Sequence, residues 1–143
     1  MADAARRLTA EGHERIEKVA MALARLLPGA VAVYSSPLVR AVETARWVAR
    51  AYGETSAITE TPALAPGAAF GPFRELLVRT AAERVICVGH EPVLTEFMLE
   101  LTSMGRFGTP SLKKGGFYGI RLAKDGEGTL EWMVPPKVLL VEG

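Results

Sequence analysis

The chain has 143 residues, 49% of them apolar, with 17 Lys or Arg against 16 Asp or Glu and a formal charge of +1. That length fits one domain over residues 1–143 and is enough to bury about two-thirds of the unfolded surface. The balanced charge offers no basic face for nucleic acid or acidic lipid, and no apolar run approaches the ~20 residues of a membrane span. A lone cysteine, Cys87, excludes an internal disulfide and a cysteine metal cluster. Ala4-Ala5-Arg6-Arg7 leads into a polar turn, not an apolar signal segment, so the expected compartment is the cytoplasm.

Residues 1–8 carry no strand pattern. Thr9 is a good cap for a helix whose Ile16, Val19, Ala20, Leu23, Leu26 and Leu27 form one stripe, stopped by Pro28-Gly29. His13 falls at the fourth helical position, where packing against Leu8 as a hydrophobic staple is the expected role. Ala30-Val31-Ala32-Val33-Tyr34 is short, apolar and β-branched, the pattern of a buried strand. Ser36 then reads as an N-cap and Pro37 as the first helical residue. Leu38, Ala41, Val42, Ala45, Val48, Ala49 and Tyr52 follow at helical spacing up to Gly53.

This strand–turn–helix puts a helix N-terminus at the carboxyl end of a strand, where open α/β sheets place ligands and free N–H groups favour an anion. Arg40 sits about one turn into the helix, against the macrodipole. A bound anion reverses that penalty, and a guanidinium offers two parallel donors to phosphate oxygens. The plain alternative is a surface arginine paired with Glu43.

Residues 54–69 are rich in Thr, Pro, Ala and Gly and read as a surface loop or lid, with one short strand at Ala57-Ile58-Thr59. A helix is predicted over Phe73–Ala82, with Leu76, Leu77 and Thr80-Ala81 inward. Arg84 to Val88 is a second buried strand, in which Cys87 is a small core residue and not a nucleophile. It ends in Gly89-His90-Glu91-Pro92, where Gly89 allows a sharp turn and Pro92 opens a helix with Leu94, Phe97, Met98 and Leu101 on one face. Phe117–Leu122 and Thr129–Val134 read as strands joined at Lys124-Asp125-Gly126, and Lys137–Val141 as a last short strand. The predicted fold is a three-layer α/β/α sandwich around a mostly parallel sheet, with a C-terminal β-hairpin.

If the two apolar strands lie parallel, Arg40 and His90 project from one sheet edge, beside two helix N-termini. That grouping suits a phosphoryl group. No Gly-x-Gly-x-x-Gly or Gly-x-x-x-x-Gly-Lys loop argues for a nucleotide, and no Gly-x-Ser-x-Gly elbow argues for a serine hydrolase. With two histidines and only Glu91 beside His90, neither a metal nor another cofactor is expected.

Ser35-Ser36-Pro37-Leu38-x-Arg40-Ala41-x-x-Thr44-Ala45 and Val88-Gly89-His90 resemble two signatures of the histidine phosphatase, or phosphoglycerate mutase-like, superfamily. Arg7-Leu8-Thr9-x-x-Gly12, Gly89-His90-Glu91-Pro92 and Lys113-Lys114-Gly115 resemble its small SixA-type phosphohistidine phosphatase branch. The resemblance implies hydrolysis of a phosphoryl group by way of a phosphohistidine intermediate. In that scheme Arg40 and His90 hold the phosphoryl oxygens and Ser36 contributes near the pocket. The implied partner is a phosphorylated protein, as phosphohistidine, or a small phosphorylated substrate.

The departure is equally specific. The family's nucleophile lies in an Arg-His-Gly motif at the end of a strand ahead of the Arg-x-Leu-Thr stretch, and these 143 residues contain no Arg-His-Gly. The first strand, expected beside the strand at 30–34, is thus missing, and its loss leaves buried backbone groups unpaired at about 1–3 kcal/mol each. Two expectations follow: a natural start upstream of Met1, or a gap filled by Lys137–Val141 from the same or a second molecule. The functional alternative is an inactive phosphoryl-binding pseudoenzyme.

Overall fold

A computed structural model describes residues 5–53, 58–80, 82, 84–102, 117–122 and 128–134. Helix α1 spans Ala10–Leu26 and begins where expected, with Thr9 Oγ1 accepting the Gly12 amide at 2.9 Å. Strand β1 is Ala32–Ser35, shifted toward its carboxyl end relative to the predicted 30–34. Helix α2, Val39–Ala51, starts two residues later than predicted, with Leu38 as its extended N-cap. Ser36 does not cap it. Its hydroxyl accepts the Leu38 amide at 3.2 Å in a local turn, so Pro37 precedes the helix instead of opening it. Gly53, at φ +99°, ends α2 as expected.

The segment read as a lid is part of the body of the protein. Ile58–Glu60 forms β2, and Pro62–Leu64 a 3₁₀ turn that seats Leu64 at 0% exposure. Helix α3 runs Phe70–Arg79, three residues earlier at each end than predicted. Pro72 lies in its first turn, where the missing N–H has no helical partner to lose. Strand β3 is Val85–Val88 and helix α4 Val93–Thr102. Strands β4, Phe117–Leu122, and β5, Gly128–Val134, pair antiparallel as a separate two-stranded sheet with an irregularity between Gly119 and Ile120. The expected turn at Lys124-Asp125-Gly126 and the strand at Lys137–Val141 lie outside the described residues.

Strands β2, β1 and β3 form a parallel sheet in that order, with Val33 opposite both Ile58 and Ile86. Both sides of β1 are therefore taken, and the expectation that a missing strand belongs beside it is incorrect. Among the described residues the edges of this sheet are β2 and β3. The period-two alternation of strand side chains assigns the two faces. Val33, Ile58, Ile86 and Val88 pack with Ala20 of α1 and Ala45 and Val48 of α2. Tyr34 and Cys87 point to the opposite layer, with Leu64, Phe73 of α3 and Phe97 and Leu101 of α4. Helices thus cover both faces, the three-layer sandwich that the sequence implies. Burial pushes the Cys87 thiol up to about 12, so at neutral pH it is a protonated core residue.

The apolar stripe of α1 stops short of its end, since Leu26 stays 62% exposed. That end is closed from other elements: Tyr52 Oη donates to the Leu27 carbonyl at 2.8 Å and Arg84 Nη1 donates to it at 3.1 Å. Burial raises the Tyr52 pKa against the lowering effect of the nearby Arg84 charge. Tyr52→Phe removes one donor to this helix end and is expected to cost about 1 kcal/mol in urea unfolding. A loss below a few tenths would mean that Arg84 alone suffices. No helix among the described residues is long and apolar enough to cross a membrane.

Candidate functional site

The three parallel strands end together, and backbone hydrogen bonds join their ends. Ser36 N–H donates to the Val88 carbonyl at 2.9 Å, and Thr61 N–H donates to the Ser35 carbonyl at 2.8 Å. Beyond this edge β1 turns into α2 and β3 into α4, the placement that brings ligands to the carboxyl ends of a parallel sheet. His90 follows β3 by two residues, and its carbonyl accepts the Leu94 amide at 2.9 Å as α4 begins.

Two of the predicted site residues meet here. His90 Nε2 lies 2.8 Å from Ser36 Oγ. Ser36 is fully buried and His90 partly so, which makes this a protected contact and not a surface encounter. Arg40, the third, is the second residue of α2 and stands at the same sheet edge, partly buried. The first turn of α2 carries no acidic residue. Its amide dipoles and the Arg40 guanidinium therefore add up to a positive end unopposed from within that turn, a setting that favours an anion.

The neighbours of His90 have defined tasks. Gly89 does not adopt a positive φ, so a sharp turn is not the reason for glycine there. Close approach is. A Cβ at this position would lie 3.1 Å from Leu94 Cδ2 and 3.3 Å from the Leu64 carbonyl oxygen. The leucine tip can move, whereas the carbonyl belongs to the buried 3₁₀ turn. Gly89→Ala is therefore expected to cost about 1–3 kcal/mol and to shift the His90 loop. Urea unfolding and the His90 ring signals in NMR check this, and an unchanged ring environment would refute it. Glu91 is occupied structurally, its two carboxylate oxygens accepting the Thr95 amide at 2.9 Å and the Thr95 hydroxyl at 2.5 Å. It caps α4. No group of three His, Cys, Asp or Glu that could hold a metal ion occurs among the described residues.

Glu43 does not serve as the partner of Arg40 that its spacing suggests. Its Oε1 accepts the Leu8 amide at 2.9 Å, and its Oε2 lies 3.2 Å from His13 Nε2. The other ring nitrogen, His13 Nδ1, accepts the indole N–H of Trp47 at 3.0 Å. An indole only donates, so Nδ1 carries no proton and Nε2–H faces the Glu43 carboxylate. Both His13 nitrogens thus tie α1 to α2, and the expected staple partner Leu8 is held through its amide. Sequence reading misses this tether. Its one signal is Trp47, whose half-buried N–H needs an acceptor.

Three comparisons relate this chain to known proteins. The family model described as the histidine phosphatase superfamily (branch 1) matches residues 3–66. An uncharacterized protein of Picosynechococcus sp. is 35% identical over 124 residues, which cover 83% of this chain and 73% of that protein. Among solved structures, the protein histidine phosphatase SixA complexed with tungstate superposes with a TM-score of 0.87 at 23% identity, over 96% of this chain and 89% of that one. A mutant phosphoserine phosphatase from Entamoeba histolytica in complex with phosphoserine gives 0.70 at 16% identity, over 94% and 87%. The fold is that of SixA, and residues 3–66, which include Ser36 and Arg40 but not His90, match the family model. The chain belongs to the histidine phosphatase superfamily.

Proposed function

We propose that this protein is a phosphohistidine phosphatase-like hydrolase of the cytoplasm that holds a phosphoryl group with Arg40 and His90, Ser36 contributing beside them. The observation that carries the reading is the Ser36–His90 contact of 2.8 Å at the carboxyl edge shared by β1 and β3, with Arg40 in the adjoining first turn of α2. A guanidinium and an imidazole directed at phosphoryl oxygens stabilise the charge that builds up as the group transfers. The tungstate held by the SixA structure is a tetrahedral oxyanion of the kind such a cradle accepts. The substrate is a phosphohistidine protein or a small phosphate ester, and no metal or cofactor takes part.

His13 is not the attacking group, because both its nitrogens are committed to α2. Residues 1–143 also contain no Arg-His-Gly. The nucleophilic histidine of the enzyme reading is therefore assigned to a segment outside residues 1–143. The same observation favours the second reading, an inactive module that binds a phosphorylated partner without hydrolysis. Intact mass and N-terminal sequencing of the protein from its own host decide between them. A species above 15.4 kDa that carries Arg-His-Gly ahead of Met1 supports the enzyme. A native start at Met1 overturns it in favour of the binder.

A further inference from the structure

Ser36 contributes near the proposed phosphoryl pocket, and its surroundings point to how. The side chain is at 0% exposure. Its backbone is fixed to β3 by the bond from Ser36 N–H to the Val88 carbonyl, and its Oγ is fixed from α2's entry by the Leu38 amide at 3.2 Å. What this hydroxyl faces is His90 Nε2, at 2.8 Å. We infer that Ser36 is a positioning residue, acting on the phosphoryl group through His90 by holding its ring in place in either protonation state.

The chemistry of a hydroxyl makes this specific. One O–H donor and two acceptor lone pairs are available, and the Leu38 amide takes one lone pair. The proton and the second lone pair are left for Nε2. When Nε2 is unprotonated the hydroxyl donates to it, and when Nε2 carries a proton the hydroxyl accepts. A carboxylate would bond only while Nε2 carries a proton, and an indole only while it does not. Serine keeps the 2.8 Å contact through both states. His90 can then gain or lose a proton as an anion arrives or leaves without its ring swinging out of the cradle. The sequence disguises this role, because Ser-Pro before a helical run is equally the signature of an N-cap.

The inference rests on the phosphoryl-site reading and is tested beside it. The probe is inorganic phosphate, titrated into ¹⁵N-histidine-labelled protein while the His90 ring nitrogens are followed from pH 5 to 9. For Ser36→Ala the expected result is a changed Nε2 shift and tautomer balance in the free protein, with phosphate affinity reduced about three- to tenfold but not abolished. Arg40→Ala should weaken binding about 10–150-fold and leave the free ring signals as in the unsubstituted chain. Ser36→Cys, close in size and a weaker hydrogen-bonding partner, should fall between serine and alanine, and it carries the test if the alanine variant does not fold. Unchanged His90 ring signals in both Ser36 variants would overturn the inference. So would a loss of affinity as large as that of Arg40→Ala with the ring signals unmoved, since Ser36 would then be a direct ligand. Phosphate binding indifferent to Arg40→Ala and His90→Ala would overturn the phosphoryl reading itself, and the free-protein ring signals distinguish that failure from the other two.

Discussion

Phe97→Ala is expected to destabilise the chain by about 3–5 kcal/mol. Phe97 is 3% exposed and stacks on Phe73 with ring centroids 4.5 Å apart and an interplanar angle of 16°. Phe70 meets it edge-on at 5.8 Å. It lies in the cluster of Leu64, Val93 and Leu101, so its removal leaves a hole walled by two helices and the 3₁₀ turn. The loss combines transfer of a large ring to water, the cavity left behind, and about 0.5–1.5 kcal/mol for each favourable ring pair. Against a total stability of about 5–15 kcal/mol for a domain, that is a large fraction. The effect reaches the site, because α4 follows directly on the His90 loop and Phe97 anchors its second turn. Urea unfolding checks the figure. A change below 1 kcal/mol would mean that α3 and α4 are not packed as described.

Arg40→Ala is expected to do the reverse, removing binding while sparing the fold. A charge-assisted hydrogen bond contributes about 1.5–3 kcal/mol, so tungstate or phosphate affinity should fall about 10–150-fold. In a catalytically complete protein kcat should fall at least as far, because charge on the phosphoryl group grows toward the transition state. Stability should change by no more than about 1 kcal/mol, since the macrodipole opposes a cation in the first turn of a helix. Calorimetric titration with tungstate, paired with urea unfolding of the same variant, checks both halves. Unaltered affinity would remove Arg40 from the site. Lost stability together with lost affinity would make it a structural residue.

Much of this is legible in the sequence because the signals are local. The Thr9 cap acts over three residues, the apolar runs behind β1 and β3 are contiguous, and Arg40 and His90 are marked by standing just past strand ends. What is not legible depends on partners distant in the chain. Periodicity identifies β1 as buried but does not say that its neighbours are β2 and β3, so the place expected for a missing strand is misassigned. Strand β2, Ile58–Glu60, lies within one residue of the short strand expected at 57–59, but its place beside β1 is not legible. The predicted helix starts at Phe73, after Pro72, and only the geometry shows that proline inside the first turn of α3. The Glu43–His13–Trp47 tether and the Ser36–His90 contact join separate elements, and no window of sequence contains either.

The separations of these contacts carry a consequence for biosynthesis. Trp47 and His13 are 34 positions apart, Tyr52 and Leu27 are 25, but Ser36 and His90 are 54. Closing a longer loop costs more chain entropy, and parallel pairing must wait for the second strand. As the chain leaves the ribosome, every partner in the α1–α2 tether has emerged well before β3 exists. The proposed anion cradle cannot form until His90 is out and β3 has docked on β1. A nascent or prematurely terminated chain can therefore hold its first two helices together and have no grip on phosphate. Under the proposed function, competence to bind is a late property, acquired only after most of the 143 residues have been made.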